Sequence, residues 1–115
     1  MTVFDLQTLL LKIALNDKVE ESREFATRIQ DALFAASAHS NASAKNRGVR
    51  KAPFAVLIGA SMPSVLAEIG FISNSRDELL MGRSDHREKI AEALYKGLSS
   101  YAGTLSHFQV AQRRP

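Results

Sequence analysis

The chain has 115 residues, of which 45% are hydrophobic, 23% charged and 7% aromatic; this fits one globular domain and excludes disorder over the whole length. Fifteen Lys/Arg against twelve Asp/Glu give a net charge of +3, too small an excess to argue for nucleic acid by itself. With no cysteine, disulfide frameworks, thiolate zinc sites and iron–sulfur clusters are excluded, and the compartment stays open.

The stretch Met1-Thr2-Val3-Phe4-Asp5 has no positively charged start, so no signal peptide is expected in it. The longest apolar runs, residues 9–11 and 52–60, fall far short of the roughly 20 residues that span a bilayer. Leu6, Leu9, Leu10 and Ile13 recur at helical spacing and predict a first helix near 3–15 with one apolar core face. Asn16-Asp17-Lys18 interrupts it, and Asp17 with Glu20 has the spacing of a capping box. A second helix near 19–37 follows, with Val19, Ser22, Phe25, Ala26, Ile29, Leu33 and Ala36 on one face.

Residues 37–50 carry no periodicity and read as a loop. Two short apolar runs come next, near 54–59 and 65–69, and predict buried strands that could pair directly only as an antiparallel hairpin. Ser75 with Glu78 and Asp85 with Glu88 mark helix starts, giving helices near 75–81 and 85–104. Ile90, Leu94, Leu98, Tyr101 and Leu105 form the core face of the last one. A polar segment, 107–115, closes the chain. The order helix–helix–strand–strand–helix–helix predicts an α/β or α+β arrangement. Two strands alone make a marginal sheet, so the rest of it is expected outside this chain.

Glu68 is the residue at odds with its surroundings, Val65-Leu66-Ala67-Glu68-Ile69-Gly70-Phe71. A carboxylate there must face water, a partner or a metal. Solvent exposure or pairing with a Lys or Arg is one reading; a group aimed into a cleft from a strand end is the other. Lys45, Arg47, Arg50 and Lys51 form a basic cluster that reads as a solvated loop or a contact for an anionic polymer. It lacks the interleaved aromatics of single-stranded nucleic-acid binding. Met62, Met81 and Phe71 read as packing residues.

Taken together, Ala52-Pro53-Phe54, Val56-Leu57 and the run Met62-Pro63-Ser64-Val65-Leu66-Ala67-Glu68-Ile69-Gly70-Phe71-Ile72-Ser73-Asn74 resemble the closing part of zinc-dependent N-acetylmuramoyl-L-alanine amidases. Asn46-Arg47-Gly48-Val49-Arg50-Lys51, Ser22 with Ala26, Asp77-Glu78, Leu80, Ile90-Ala91, Gly97 and Tyr101 extend the likeness over residues 1–106. The resemblance implies the back portion of an α/β fold with a mixed, helix-flanked sheet, and hydrolysis of the amide joining N-acetylmuramic acid to L-alanine in peptidoglycan, outside the cytoplasm, with one Zn²⁺. It also implies that Glu68 is the catalytic carboxylate, moving a proton from the attacking water to the leaving amine. By the same resemblance, Gly70 keeps the backbone after Glu68 unobstructed and Asn74 fixes the turn into the next helix.

The family's zinc is held by two His and one Glu from segments without counterparts here. Ser37-Ala38-His39-Ser40-Asn41-Ala42 has the form of one ligand motif, Ser-x-His-x-Asn-Ala. It follows the helix with Ser22 and Ala26, whereas the family's motif precedes that helix. No metal ligand is therefore assigned to His39, nor to His86 or His107, which share no His-x-x-x-His spacing. The expectation is the C-terminal part of a catalytic domain, inactive alone. The alternative is a non-catalytic module that binds a wall fragment or a protein partner, with a sheet edge open to self-association.

Overall fold

A computed structural model describes residues 2–52 and 55–113. The elements are α1 (Val3–Ser40), a single turn α2 (Ala55–Ile58), α3 (Ser75–Met81) and α4 (Ser84–Arg113). No strand occurs among the described residues, which overturns the expected mixed sheet.

α1 opens on a reciprocal cap. Thr2 Oγ1 accepts from the Asp5 amide at 3.2 Å, and Asp5 Oδ2 accepts from the Thr2 amide at 2.9 Å. That backbone hydrogen bond holds the Asp5 carboxyl below the usual carboxylate range. The expected break at residues 16–18 does not occur. No Gly or Pro lies between residues 3 and 40, and Asn or Asp costs a helix interior well under about 1 kcal/mol. Ending one helix and nucleating another would cost more, so the two expected helices form one. The loop expected from Ser37 starts only after Ser40, where Asn41 caps the helix through its amide to Ser37 O at 2.9 Å.

The two expected strands do not form, and contacts at Leu57 and Ser64 tie this part of the chain to α1. Lys18 Nζ donates to Leu57 O at 3.1 Å, and the Ser64 amide donates to Ser22 Oγ at 3.0 Å. Residues 55–58 close into the turn α2, and residues 65–69 run beside the helices without regular hydrogen bonding; Phe54 lies outside the described residues. The expected sheet edge is therefore absent among the described residues.

α3 occupies the expected residues, with Asn74 as its N-cap and Gly82 as its C-cap. α4 starts one residue before the expected position and its helical backbone runs to Arg113. α1 and α4 cross antiparallel, since Glu21 meets Tyr101 and Ile29 meets Gly97. Phe25 stacks on Tyr101 with ring centroids 4.9 Å apart, and Tyr101 Oη donates to Glu21 Oε2 at 2.6 Å. Ile29, Ala93 and Tyr101 are the buried apolar residues. The contact ridge of α4 is therefore Ala93, Gly97 and Tyr101, in steps of four. Leu98 and Leu105, expected in the core, are exposed.

The first turns of α1 also depart from expectation. Leu6, Leu9, Leu10 and Ile13 are exposed, as are Phe4, Leu11 and Leu15 on the other side of the helix. Asp5, Thr8 and Lys12 form a polar strip between these two exposed apolar faces. The Cα radius of gyration is 18.1 Å, against about 13 Å for a compact domain of this length. The accessible surface is 9463 Å², against about 6,200 Å² for a compact monomer of this mass.

Candidate active site

Glu68 lies on the extended stretch between α2 and α3, and the route of that stretch is fixed at both ends. On the α2 side the Ser64 amide is tied to Ser22 of α1. On the α3 side the Phe71 amide donates to Asp77 Oδ2 at 3.0 Å, and the Asn74 amide donates to Phe71 O at 3.0 Å. Asn74 Oδ1 then accepts from the amides of Arg76 and Asp77 at 3.0 and 3.1 Å, so one side chain closes the turn and caps the helix.

Glu68, Gly70, Phe71, Ile72 and Ser73 line an open recess of about 430 Å³. The Glu68 carboxylate is exposed and makes no hydrogen bond or ion pair among the described residues. Of the two readings of this residue, pairing with a Lys or Arg is thus unsupported, and a carboxylate open to water or substrate remains. Chemically it can accept or donate a proton at the recess wall. Asn74 supplies the turn that the resemblance assigns to it. A Cβ at Gly70 would stand 3.6 Å from Asp77 Cβ, an ordinary contact, so bulk at this position is not excluded by the fold.

Phe71, expected as a packing residue, is half-exposed and carries a cation instead. The Arg47 guanidinium carbon lies 5.3 Å from the centre of its ring. Arg47 is delivered there by a tight turn. Asn46 Oδ1 accepts from the Gly48 amide at 2.8 Å and from Gln30 Nε2 of α1 at 2.8 Å. Gly48 has φ +77°, a backbone state that favours glycine. The sequence signal for this arrangement was the pair Asn46 and Gly48 flanking Arg47; nothing local pointed to Phe71.

Among the described residues no group of three or more His, Asp or Glu side chains could hold a metal ion. His39 is exposed in the last turn of α1 and not in a loop. His86 is half-buried in the first turn of α4, and the His107 side chain lies outside the described residues. The described residues therefore do not fit a zinc site, and no chemical step is assigned through one.

Comparison with known proteins places the chain in a family. The sequence profile of N-acetylmuramoyl-L-alanine amidases (Amidase_3) matches residues 8–100, and the chain belongs to that family. It is 40% identical over 82 residues to the Uncharacterized protein YqiI of Bacillus subtilis (strain 168), covering 71% of this chain and 37% of that protein. It is 36% identical over 80 residues to the N-acetylmuramoyl-L-alanine amidase LytC of the same organism, covering 70% of this chain and 15% of LytC. Over 56 residues it is 45% identical to the N-acetylmuramoyl-L-alanine amidase AmiA of Escherichia coli (strain K12), covering 49% and 19%. The chain thus spans well under half the length of these relatives. No solved structure matches it. No helix among the described residues is long and apolar enough to cross a membrane.

Proposed function

We propose that this chain is the C-terminal part of an amidase catalytic domain that cleaves the bond between N-acetylmuramic acid and L-alanine in peptidoglycan, outside the cytoplasm. The observation that carries the reading is the family match over residues 8–100, with Glu68 free in an open recess. Glu68 accepts a proton from the water that attacks the lactyl carbonyl of the muramic acid. It then returns that proton to the alanine nitrogen as the C–N bond breaks and the carboxyl product forms. Zn²⁺, which the family resemblance implies, would be held by the two His and one Glu of family segments that have no counterpart in this chain. The exposed apolar turns of α1 and the excess surface support a domain larger than this chain.

The test is a graft. This chain replaces the 80 matching residues of LytC, and release of stem peptides from peptidoglycan is measured with added Zn²⁺. The graft is expected to hydrolyse, Glu68→Gln to slow it by about 10²–10⁴-fold, and the 115-residue chain alone to release nothing. A Glu68→Gln graft as fast as the unmodified one overturns the role of Glu68. The second reading, a non-catalytic module gripping a wall fragment, is favoured by the lack of a metal-binding set among the described residues. An inert graft that still binds peptidoglycan would establish it.

A further inference from the structure

We infer that Arg47 is a positioning residue that grips a carboxylate of the substrate peptide beside Glu68. The inference deepens the proposed function and rests on it for the identity of the substrate. Four observations carry it. Arg47 sits over Phe71, and Phe71 shares the lining of the recess with Glu68, so a fixed cation stands one side chain away from the candidate proton carrier. The backbone that presents it is held from two sides, by Gly48 within the turn and by Gln30 of α1. The only ion pairs among the described residues join Arg28 to Glu24 and Arg83 to Asp85, which leaves the Arg47 charge unneutralised. Lys45, Arg50 and Lys51 are exposed on the same segment and add to the positive field.

The chemistry follows from what each contact uses. A cation over an aromatic ring is held by the ring's negative face and engages none of the five guanidinium N–H donors. Those donors form a planar fork matched to a carboxylate, which Arg can bind through two parallel hydrogen bonds. Stacking on Phe71 and pinning of the turn limit the freedom lost when the fork closes on its anion. The ligand class is therefore a muramoyl peptide whose free carboxylate lies within a residue or two of the scissile amide. Glu68 and Arg47 then divide the work: one handles the proton, the other sets which amide lies against it.

The test uses the whole 115-residue chain and two N-acetylmuramoyl peptides that differ only in a C-terminal carboxylate or carboxamide. Binding is followed by NMR titration, including the Arg47 Nε–H resonance. The carboxylate form is expected to bind roughly 10-fold more tightly, and Arg47→Gln to bring the two forms to equal affinity. Arg47→Lys keeps the charge without the fork and is expected to retain an intermediate preference. A merely structural role for Arg47 would weaken both peptides alike. Equal affinities for the unmodified chain, no binding of either peptide, or a preference that survives Arg47→Gln would overturn the inference. Because the readout is binding without turnover, the two proposals fail separately: an active graft with no carboxylate preference removes Arg47 alone, and an inert graft with the preference intact removes the hydrolytic reading alone.

Discussion

Gly97 and Ile29 meet where α4 crosses α1, with no room between them for one added carbon. A Cβ at Gly97 would stand 2.7 Å from Ile29 Cα and 3.0 Å from Arg28 O. Both are backbone atoms, so the clash cannot be relieved by rotating a side chain. The same approach brings Arg28 Nη1 within 3.0 Å of Ser100 Oγ and buries Ala93.

Gly97→Ala is therefore expected to destabilise the chain by about 1–3 kcal/mol, although alanine is the better helix former. Gly103, on the same helix, provides the control. Nothing lies within 4 Å of a Cβ placed there, so Gly103→Ala is expected to stabilise by about 0.5–1 kcal/mol. Thermal unfolding followed by circular dichroism reads both, and opposite signs are the expected result.

Tyr101 gives the crossing a dependence on alkaline pH. Burial, then the hydrogen bond to Glu21 and the charges of Glu21 and Glu24, push its phenol up to about 12. The unfolded chain releases that proton near 10. A raised folded value means the contribution is fully present below pH 10 and is lost as pH rises from 10 towards 12. In a Tyr95→Phe background Tyr101 is the sole tyrosine, and its phenolate absorbance should appear near pH 12 when folded and near pH 10 in denaturant. Tyr101→Phe keeps the stack on Phe25 and is expected to cost about 1 kcal/mol at neutral pH, because the exposed Glu21 regains water.

Asn74 couples the recess to α3. Asn74→Ala removes the acceptor for two amides and should cost about 0.5–2 kcal/mol. α3 has only seven residues, so the loss is expected to free Asp77 and with it the Phe71 amide. Hydrogen exchange at Phe71 should then accelerate, while exchange in the middle of α1 stays as it was. Asn74→Asp, which still caps, is expected to restore protection.

How much of this was legible in the sequence depended on how local the determinant is. The α3 and α4 starts were readable within a residue, and at α3 the determinant is local, because Asn74 acts on amides two and three positions away. The continuity of α1 was not, because Asn16 and Asp17 only weakly disfavour a helix that tertiary contacts extend. The strands were misread for a different reason. Apolar β-branched runs show that a segment is suited to burial, but a strand exists only if another pairs with it, and residues 55–58 instead close into the turn α2, whose Leu57 carbonyl accepts from Lys18 of α1. Leu98 was placed in the core by spacing alone, whereas the close approach selected the neighbouring ridge with Gly97. At the recess, Glu68 was marked by its apolar neighbours and by family resemblance. The stacking of Arg47 on Phe71 joins two segments with no local signal between them.

Phe4, Leu11 and Leu15 keep 74%, 66% and 61% of their accessible surface in the folded chain. They add little to the heat capacity of unfolding, which grows with newly exposed apolar surface. The chain should therefore fall below the usual value of about 1.2–1.5 kcal/mol/K per 100 residues. Its stability curve is correspondingly flat in temperature, and its denaturant slope shallow. A partner or further segment that covered the first turns of α1 would register in a calorimeter as a steeper curve before any change in melting point is read.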